Sequence, residues 1–507
     1  MASAFRLGAG AGAWLNRNST ISQGVFGMLR SGVLVVGLAA LALSACASTS
    51  GAAPKAGGKD GAARALPAGL DPGARPDPFP STYRPLPSAS FAVVGARAYT
   101  GTGQALENAT VIVRDGRIAV VGEGLAAPEG VQVIDGRGKW VTPGLIDSHS
   151  HLGVYASPSV AAHSDGNELT DPTTPEVWAE HSVWPQDPGF HTARVGGVTT
   201  VQILPGSGNL IGGRGVTLRN VPSRTVQGMK FPGAPYTLKM ACGENPKRVY
   251  GSRGRAPSTR MGNVAGYRAA WIEAAEYTRK WDDYRAKVAR GEKADPPRRD
   301  LGLDTLSAVL RGEILVQNHC YRADEMAIMI DIAREFGYRI ASFHHAVESY
   351  KIADLLAENG ICTATWAGWW GAKLEMYDSV EANVPLLHAA KACGVIKSDD
   401  PDLVQRLNQE AAVALAAGRA VGLQITEAEA MIWITANPAK ALGILDQTGT
   451  LEAGKRADIV LWDRNPLSVY ARTEKVFIDG ALTWDRRDPR YQPRSDFDLG
   501  QPGEGVR

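Results

Sequence analysis

Short apolar runs alternate with helical patterns through the central part of the chain, from residue 143 to residue 445. Eight runs have the length of buried strands, and they span 144–148, 198–203, 215–219, 237–242, 313–318, 339–344, 361–366 and 394–398. Apolar residues recur with helical spacing over 262–290, 323–336, 348–359, 382–392 and 401–417. Strands and helices that alternate in this way predict an α/β fold, a (β/α)8 TIM barrel with parallel strands.

Alternating apolar and polar residues, typical of strands with one exposed face, flank this central region on both sides. Residues 87–142 contain such stretches, which two Asp-Gly turn pairs separate. Residues 446–490 repeat the pattern, and a C-terminal tail follows over 491–507. We therefore expect a small β-sandwich domain that is assembled from both ends of the folded chain.

Residues 1–46 have the pattern of a bacterial lipoprotein signal peptide. An apolar run over 33–43 ends in Leu-Ser-Ala-Cys, which resembles a lipobox with Cys46 as the lipidated residue. Residues 47–86, rich in Ala, Gly, Pro, Ser and Lys, predict a disordered linker. Alanine rather than aspartate follows Cys46, so we expect a lipid anchor on the periplasmic side of the outer membrane of a Gram-negative bacterium. A plain secretory signal is the alternative, and Met28 is an alternative start.

Composition narrows the class of partner. The chain has 507 residues, of which 44% are hydrophobic, and this is enough for a large core with an accessory domain. A formal net charge of +2 gives no support for nucleic-acid binding or for a polybasic membrane surface, so the N-terminal lipid is the one membrane contact expected. Homo-oligomerisation stays open. Four cysteines could pair in an oxidising compartment or stay buried thiols: Cys242, Cys320, Cys362 and Cys393.

Histidines follow several of the predicted strands at the point where each strand ends. His149 and His151 close the first strand, and residues two apart on a strand point the same way, so both imidazoles can reach one metal ion. His319, His345 and Asp399 each follow a later apolar run. Because barrel enzymes carry their chemistry at these strand ends, the five residues predict a binuclear site for divalent metal ions.

Two motifs carry a resemblance to a known family. PGLIDSHSH at the first strand and GTLEAGKRADIVLWDRNP near the C-terminus resemble signatures of the amidohydrolase superfamily, and further stretches resemble its imidazolonepropionase-like members. The resemblance implies two metal ions, expected to be zinc. It implies that His149 and His151 bind the more buried ion, that His319 and His345 bind the second, and that Asp399 binds metal and moves protons.

The ligand that bridges the two metals has two candidates. Glu244 stands just past a strand end, as the glutamate of adenine deaminases does, and we favour it. Lys239 lies inside the same strand, in a pattern that resembles the one with a carboxylated lysine in related dipeptidases and phosphotriesterases. Glu244 could instead pair with Lys247 or Arg248, and Lys239 could be an ordinary strand residue.

Residues around these ligands are candidates for substrate contacts. Tyr321 and Arg322 follow His319 closely, and Arg322 could hold a substrate carboxylate in a bidentate pair or form a salt bridge with Asp324. His344 should point away from the ligand side of its strand, into the core or against a ligand. Three tryptophans after the seventh strand suggest either an apolar pocket wall or packing against the predicted insertion at 262–300: Trp366, Trp369 and Trp370.

The expected reaction is hydrolysis of a C–N bond in a small amide, a short peptide or a cyclic amide by a metal-activated water. Asp399 would take the proton of that water and pass it to the leaving nitrogen, and His345 could assist. Deamination of a ring amidine is the enzymatic alternative, because that chemistry uses the same ligands. A binding lipoprotein without activity is a third reading, which the complete ligand set disfavours. The fold alone does not define the substrate.

Overall fold

The strands of the protein fall into two sheets, in a computed structural model that describes residues 66–75, 77–369 and 373–492. Five strands precede the barrel: β1 (Phe91–Tyr99), β2 (Ala105–Arg114), β3 (Arg117–Glu123), β4 (Gln132–Asp135) and β5 (Trp140–Pro143). Eight strands form the barrel sheet: β6 (Leu145–Ser150), β7 (Val198–Ile203), β8 (Ile211–Arg219), β9 (Thr237–Ala241), β10 (Leu315–Cys320), β11 (Ile340–His345), β12 (Cys362–Thr365) and β13 (Cys393–Ile396). Three strands follow: β14 (Ile459–Trp462), β15 (Thr473–Ile478) and β16 (Ala481–Asp485).

The strands from the two ends of the folded chain pair in one sheet, with the order β16-β15-β14-β5-β1-β2-β3 and with β4 beside β1. The join is between β5 and β14, which run antiparallel with Val460 opposite Thr142. Apolar residues of β1, β2, β5 and β14 form a separate core under this sheet. The strand pairing thus joins both ends of the folded chain in a single eight-stranded sheet, while the β-sandwich arrangement expected for this domain stays a prediction.

The barrel sheet contains all eight predicted strands, in the order of the sequence, within a few residues of the predicted bounds. One strand corrects the parallel prediction: β8 runs antiparallel to both β7 and β9, because a short turn rather than a helix joins β7 to β8. The sheet is nearly closed. Residues 433–434 bridge the last residue of β13 and the start of β6, where Ile396 N donates to Trp433 O and Ile146 N donates to Ile434 O.

Helices cover the outside of the barrel sheet, as the buried strands require. The α-helices are α1 (Pro188–Val195), α2 (Glu244–Gly251), α3 (Arg260–Ala289), α4 (Leu301–Leu310), α5 (Ala323–Phe336), α6 (Ala353–Glu358), α7 (Asn383–Ala389), α8 (Leu407–Ala420), α9 (Glu427–Ile432) and α10 (Ala436–Ala441). Short 3-10 helices span Ala68–Leu70, Ala161–His163, Ala179–His181, Val226–Gly228, Ser349–Ile352, Leu374–Met376, Val404–Arg406 and Pro489–Tyr491. The long helix α3 buries one aromatic stripe, including Tyr267, Trp271 and Trp281, in the layer that also contains α4.

The last part of the predicted linker contacts the barrel, which corrects its expected disorder up to residue 86. Lys230 Nζ lies 2.8 Å from Asp77 Oδ2 and donates to Phe79 O at 2.7 Å. Ser81 Oγ donates to Lys230 O at 2.6 Å, and Tyr83 OH donates to the buried Asp479. Residues 77–83 are therefore part of the folded unit.

Two disulfides join neighbouring barrel strands. Cys242, directly after β9, is bonded to Cys320 at the end of β10, and Cys362 on β12 is bonded to Cys393 on β13. Pairing is thus the outcome for the four cysteines whose state the sequence left open.

Several predictions fall on residues that the structure does not describe. The signal peptide, Cys46, the first part of the linker, Trp370 and most of the C-terminal tail lie outside the described residues. Within the described ranges, no helix is both long enough and apolar enough to cross a membrane.

Candidate metal centre

The five predicted metal ligands converge at the C-terminal ends of the barrel strands. His149 lies on β6 and His151 directly follows that strand, His319 lies on β10, His345 ends β11, and Asp399 lies just beyond β13. His149, His319 and His345 are almost fully buried. The strand order brings them together because β10 and β11 are neighbours and β13 lies next to β6 across the nearly closed seam.

Asp399 is the centre of this group. Its Oδ1 lies 3.1 Å from His149 Nε2 and 3.2 Å from His151 Nε2, and its Oδ2 lies 3.6 Å from His345 Nδ1 and 3.3 Å from Lys397 Nζ. Burial alone would raise the pKa of Asp399, but the Lys397 ammonium is the largest of the opposing effects, which together hold that pKa well below its usual range. The carboxylate therefore stays ionised, as a metal ligand or a general base requires.

The atoms that face Asp399 Oδ1 are the kind that a metal ion needs. His151 Nδ1 lies 2.8 Å from Leu204 O, and because a carbonyl can only accept, this nitrogen carries the proton and Nε2 presents a lone pair. The lone pair of His151 and the Asp399 carboxylate are then two acceptors 3.2 Å apart. A tetrahedral zinc site with bonds of about 2.0–2.1 Å separates its ligand atoms by about 3.3 Å. The residues fit a divalent ion.

Buried ring nitrogens without a protein partner support the same conclusion. Within the described ranges, both nitrogens of His345 and Nδ1 of His319 make no hydrogen bond. The two rings are adjacent, with centroids 4.2 Å apart, and Tyr321 packs against both. Buried polar atoms usually have a partner in native proteins, so these adjacent ring nitrogens are available as ligands for a metal ion.

The two candidates for the bridging ligand lie in different places. Lys239 is fully buried on β9, with Nζ 3.4 Å from His149 Nε2, and burial lowers its pKa to about 7. Glu244 is the first residue of α2, and its carboxylate lies 3.4 Å from Lys373 Nζ with the side chain 26% exposed. Gly243 turns the chain between them with φ of +79°. The geometry favours Lys239, which reverses the preference from the sequence.

Left-handed backbone conformations occur at two of the ligands. His345 has φ of +70° and Asp399 has φ of +65°, and such conformations cost about 1–3 kcal/mol each in a non-glycine residue. The turn at His345 also breaks the strict alternation of β11. Both His344 and His345 therefore lie against the cluster, and His344 Nδ1 lies 2.9 Å from His149 Nδ1, which agrees with the alternative that placed His344 against a ligand.

Tryptophans form part of the wall beside this cluster. The Trp366 ring lies 4.9 Å from the His345 ring and stacks on Trp369 at 5.4 Å. The Trp366 ring also contacts Lys397, whose Nζ lies 3.6 Å from the ring centroid. Trp369 is 42% exposed, so this wall extends from the metal ligands to the surface.

Tyr321 and Arg322 have separate environments, although they are adjacent in sequence. Tyr321 is buried beside His319 and His345. Arg322 is bound in a bidentate pair to Asp324 at the surface, with both hydrogen bonds at 2.9 Å. The alternative from the sequence, a salt bridge to Asp324, is the arrangement that forms, and Arg322 is not placed as a carboxylate clamp in this structure.

Sequence reasoning missed two lysines of the site. Lys397 is fully buried and precedes Asp399 by two positions, so the same spacing rule that found the two histidines could have found it. Lys373 lies at the outer edge, with Nζ 3.2 Å from Asn245 Oδ1 and 4.6 Å from the centroid of the Tyr321 ring. No local pattern marks Lys373, because it comes from the irregular loop after β12.

A barrel with clustered histidines and an aspartate at its C-terminal end defines a class of metal-dependent hydrolases, and comparison with known proteins identifies the family. The model of the amidohydrolase family matches residues 140–483. This chain belongs to the amidohydrolase family.

Individual relatives support this assignment. The chain is 33% identical to amidohydrolase tasK of Hapsidospora irregularis over 429 residues, which is 80% of this chain and 42% of that protein. The chain thus spans less than half the length of that relative. It is 26% identical to the imidazolonepropionase of Caulobacter vibrioides over 384 residues, 71% of this chain and 88% of that protein.

A solved structure shows the same fold. The crystal structure of the amidohydrolase from Thermotoga maritima is similar to this chain, with a TM-score of 0.72 and 34% sequence identity. The match covers 78% of this chain and 100% of that one. Family and relatives together show a hydrolase that acts on C–N bonds. Members of this superfamily are generally metal-dependent, in agreement with the cluster of His149, His345 and Asp399.

Proposed function

We propose that this protein is a metal-dependent amidohydrolase that cleaves an amide, peptide or cyclic amide bond in a small molecule or short peptide. The observation that carries the proposal is the convergence of His149 Nε2 and His151 Nε2 on Asp399 Oδ1, at 3.1 and 3.2 Å. The named relatives, an amidohydrolase and an imidazolonepropionase, support C–N hydrolysis as the chemistry.

Two zinc ions are the proposed cofactors. Four histidines and Asp399 supply their ligands, and Lys239 is the proposed bridge rather than Glu244, because its Nζ lies within 3.4 Å of a ligand nitrogen. The lysine amine would take up carbon dioxide to form a carbamate, with release of one proton. When bound, the metal ions lower the pKa of a water from 15.7 to about 7 and polarise the substrate carbonyl.

The side chains of the protein perform the proton transfers. Asp399 accepts the proton of the attacking water through the oxygen that is not engaged as a ligand, and then returns it to the leaving nitrogen. Lys397, 3.3 Å from Asp399 Oδ2, keeps that carboxylate ionised between turnovers. Tyr321 and Trp366 form the walls against which the substrate is oriented and exclude water from the reacting bond. His345 assists if it is not fully engaged as a ligand.

Metal analysis and substrate screening test this proposal. Purified protein should contain divalent metal, and chelation should abolish hydrolysis of at least one member of a panel of N-acyl amino acids, dipeptides and cyclic amides. The panel includes aminopurines, because release of ammonia from these alone would indicate the deaminase alternative. Protein without bound metal and without any turnover after reconstitution would contradict the proposal and favour a binding function.

We further propose that Cys46, outside the described residues, anchors the protein by lipid on the periplasmic side of the outer membrane. Two disulfides in the barrel support an oxidising compartment. The variant Cys46→Ala should lose a palmitate label and either leave the membrane fraction or accumulate as an uncleaved precursor. Unchanged fractionation of Cys46→Ala with the outer membrane would contradict the anchor.

A further inference from the structure

A chain of three buried side chains crosses the barrel interior behind His149. Gln317 on β10 donates from Nε2 to Ala441 O at 3.0 Å. Its Oε1 lies 2.6 Å from His344 Nε2, and His344 Nδ1 lies 2.9 Å from His149 Nδ1. Gln317, His344 and His149 are each fully buried, so protein atoms alone set the hydrogen-bond directions.

The direction of every bond in this chain follows from its far end. Ala441 O can only accept, so the amide NH₂ of Gln317 faces it, and the amide oxygen faces His344. An oxygen facing His344 requires the proton on His344 Nε2. Neutral His344 then has a lone pair on Nδ1 and accepts from His149, which must carry its proton on Nδ1. A reversed amide would bring two oxygens together 3.0 Å apart and leave both unpaired.

We propose that Gln317 and His344 are positioning residues that fix His149 in the tautomer with its proton on Nδ1, so that the Nε2 lone pair points at the metal ion. The inference rests on the proposed metal-dependent function, and it adds two residues that touch neither the metal nor the substrate. His151 reaches the same tautomer directly through the backbone carbonyl of Leu204. The two histidines of the motif are thus oriented in different ways. A single backbone carbonyl orients His151, whereas a chain of side chains across β6, β10 and β11 orients His149.

Metal affinity is the first test, because outer partners of ligating histidines typically change it by about 10- to 100-fold. Gln317→Met should weaken zinc binding by about that factor in chelator competition. Gln202→Met is the matched control, since Gln202 is also fully buried in the barrel wall and its amide donates to Thr237 Oγ1 at 2.9 Å rather than to a histidine. It should keep parental zinc affinity even where it lowers the melting temperature.

A conservative variant separates orientation from packing. Gln317→Glu keeps an oxygen toward His344, and its protonated carboxyl can still donate to Ala441 O, so it should recover most of the zinc affinity that Gln317→Met loses. Equal losses in Gln317→Met and Gln202→Met, or no recovery in Gln317→Glu, would overturn the positioning role.

Tautomers can also be observed without metal. Long-range ¹H–¹⁵N spectra of metal-free protein with labelled histidine should show the proton on Nδ1 for His149 and on Nε2 for His344, with assignments from their loss in His149→Ala and His344→Asn. A His149 ring that lacks the proton on Nδ1 in the metal-free wild type would overturn the inference. If the tautomers are as stated but the wild type binds no metal, the proposed function fails and the orientation of His149 stands.

Discussion

The inner and outer parts of the candidate site differ in how their polar atoms are satisfied. The inner part consists of His149, His151, His319, His345 and Asp399. Imidazole nitrogens of His149 and His151 face the Asp399 carboxylate, and among the described residues both ring nitrogens of His345 and Nδ1 of His319 make no hydrogen bond. The outer part consists of two ion pairs at partly exposed positions, Lys373 with Glu244 and Arg322 with Asp324.

This difference indicates which part could hold a metal ion. Buried polar groups without partners destabilise a fold by about 1–3 kcal/mol each, so the inner arrangement is explained by a ligand that is absent from the protein chain itself. Exposed ion pairs contribute about 0–1 kcal/mol and exist with or without a ligand. We therefore expect substitutions in the inner part to affect metal and rate, and those in the outer part to affect mainly substrate affinity.

The largest effect is expected for the two histidines of β6. His149→Ala or His151→Ala should lose bound metal and lower kcat/KM by on the order of 10³ or more, since metal activation supplies several kcal/mol and 1.36 kcal/mol is about tenfold. Circular dichroism should still show a folded barrel. The control His388→Ala, on α7, should keep its metal. Parental metal content and turnover in either His149→Ala or His151→Ala would remove that residue from the site.

Asp399→Asn should produce the next largest effect. An amide cannot take up the proton of the water, so kcat should fall by about 10²–10⁴, while the remaining carbonyl oxygen retains much of the metal. Asp400→Asn is the adjacent control, because the Asp400 carboxylate accepts from the backbone N–H groups of Asp402 and Leu403 in its own turn. Turnover near that of the parent in Asp399→Asn, measured at saturating substrate, would exclude Asp399 as the base.

Lys239 and Glu244 provide a direct contrast between the two parts. Lys239→Ala should weaken metal binding by more than the about 10- to 100-fold typical of an outer partner, and short carboxylic acids should restore part of the activity by replacing the carbamate. Glu244→Gln should bind metal normally. Mass spectrometry of the wild type under bicarbonate should show the added carbon dioxide. Metal loss in Glu244→Gln with normal Lys239→Ala would restore the original preference for Glu244.

Local pattern was sufficient to predict much of the architecture and the clustering of four histidines with Asp399. Buried strands are short apolar runs, and their alternation with helices defined the barrel, so all eight strands were located. The histidines were recognisable because each ends such a run. The direction of β8 was not predictable in the same way, because a glycine-rich turn leads back into an antiparallel strand without a helix to indicate it.

Other features depend on contacts that local pattern does not contain. The left-handed turn at His345 brings its ring to the same cluster as His344, and the turn at Gly243 moves Glu244 away from the face that Lys239 occupies. The hydrogen bonds behind His149 join three strands whose mutual register the sequence does not state. Arg322 pairs with Asp324, two residues away, which was one of the two arrangements that the sequence left open.

The smallest effect is expected at Lys373, in the outer part. Its ammonium lies 3.4 Å from Glu244 Oε1 and 4.6 Å from the centroid of the Tyr321 ring, with 28% of the side chain exposed. Because solvent screens such a group to about 0–1 kcal/mol, Lys373→Met should change kcat/KM by at most about fivefold, through KM, with metal content unchanged. Lys351→Met is the matched control, since Lys351 is similarly exposed and pairs with Asp378 at 2.6 Å. Loss of metal in Lys373→Met would contradict the distinction between the two parts, because metal binding in the inner part would then require a charge in the outer part.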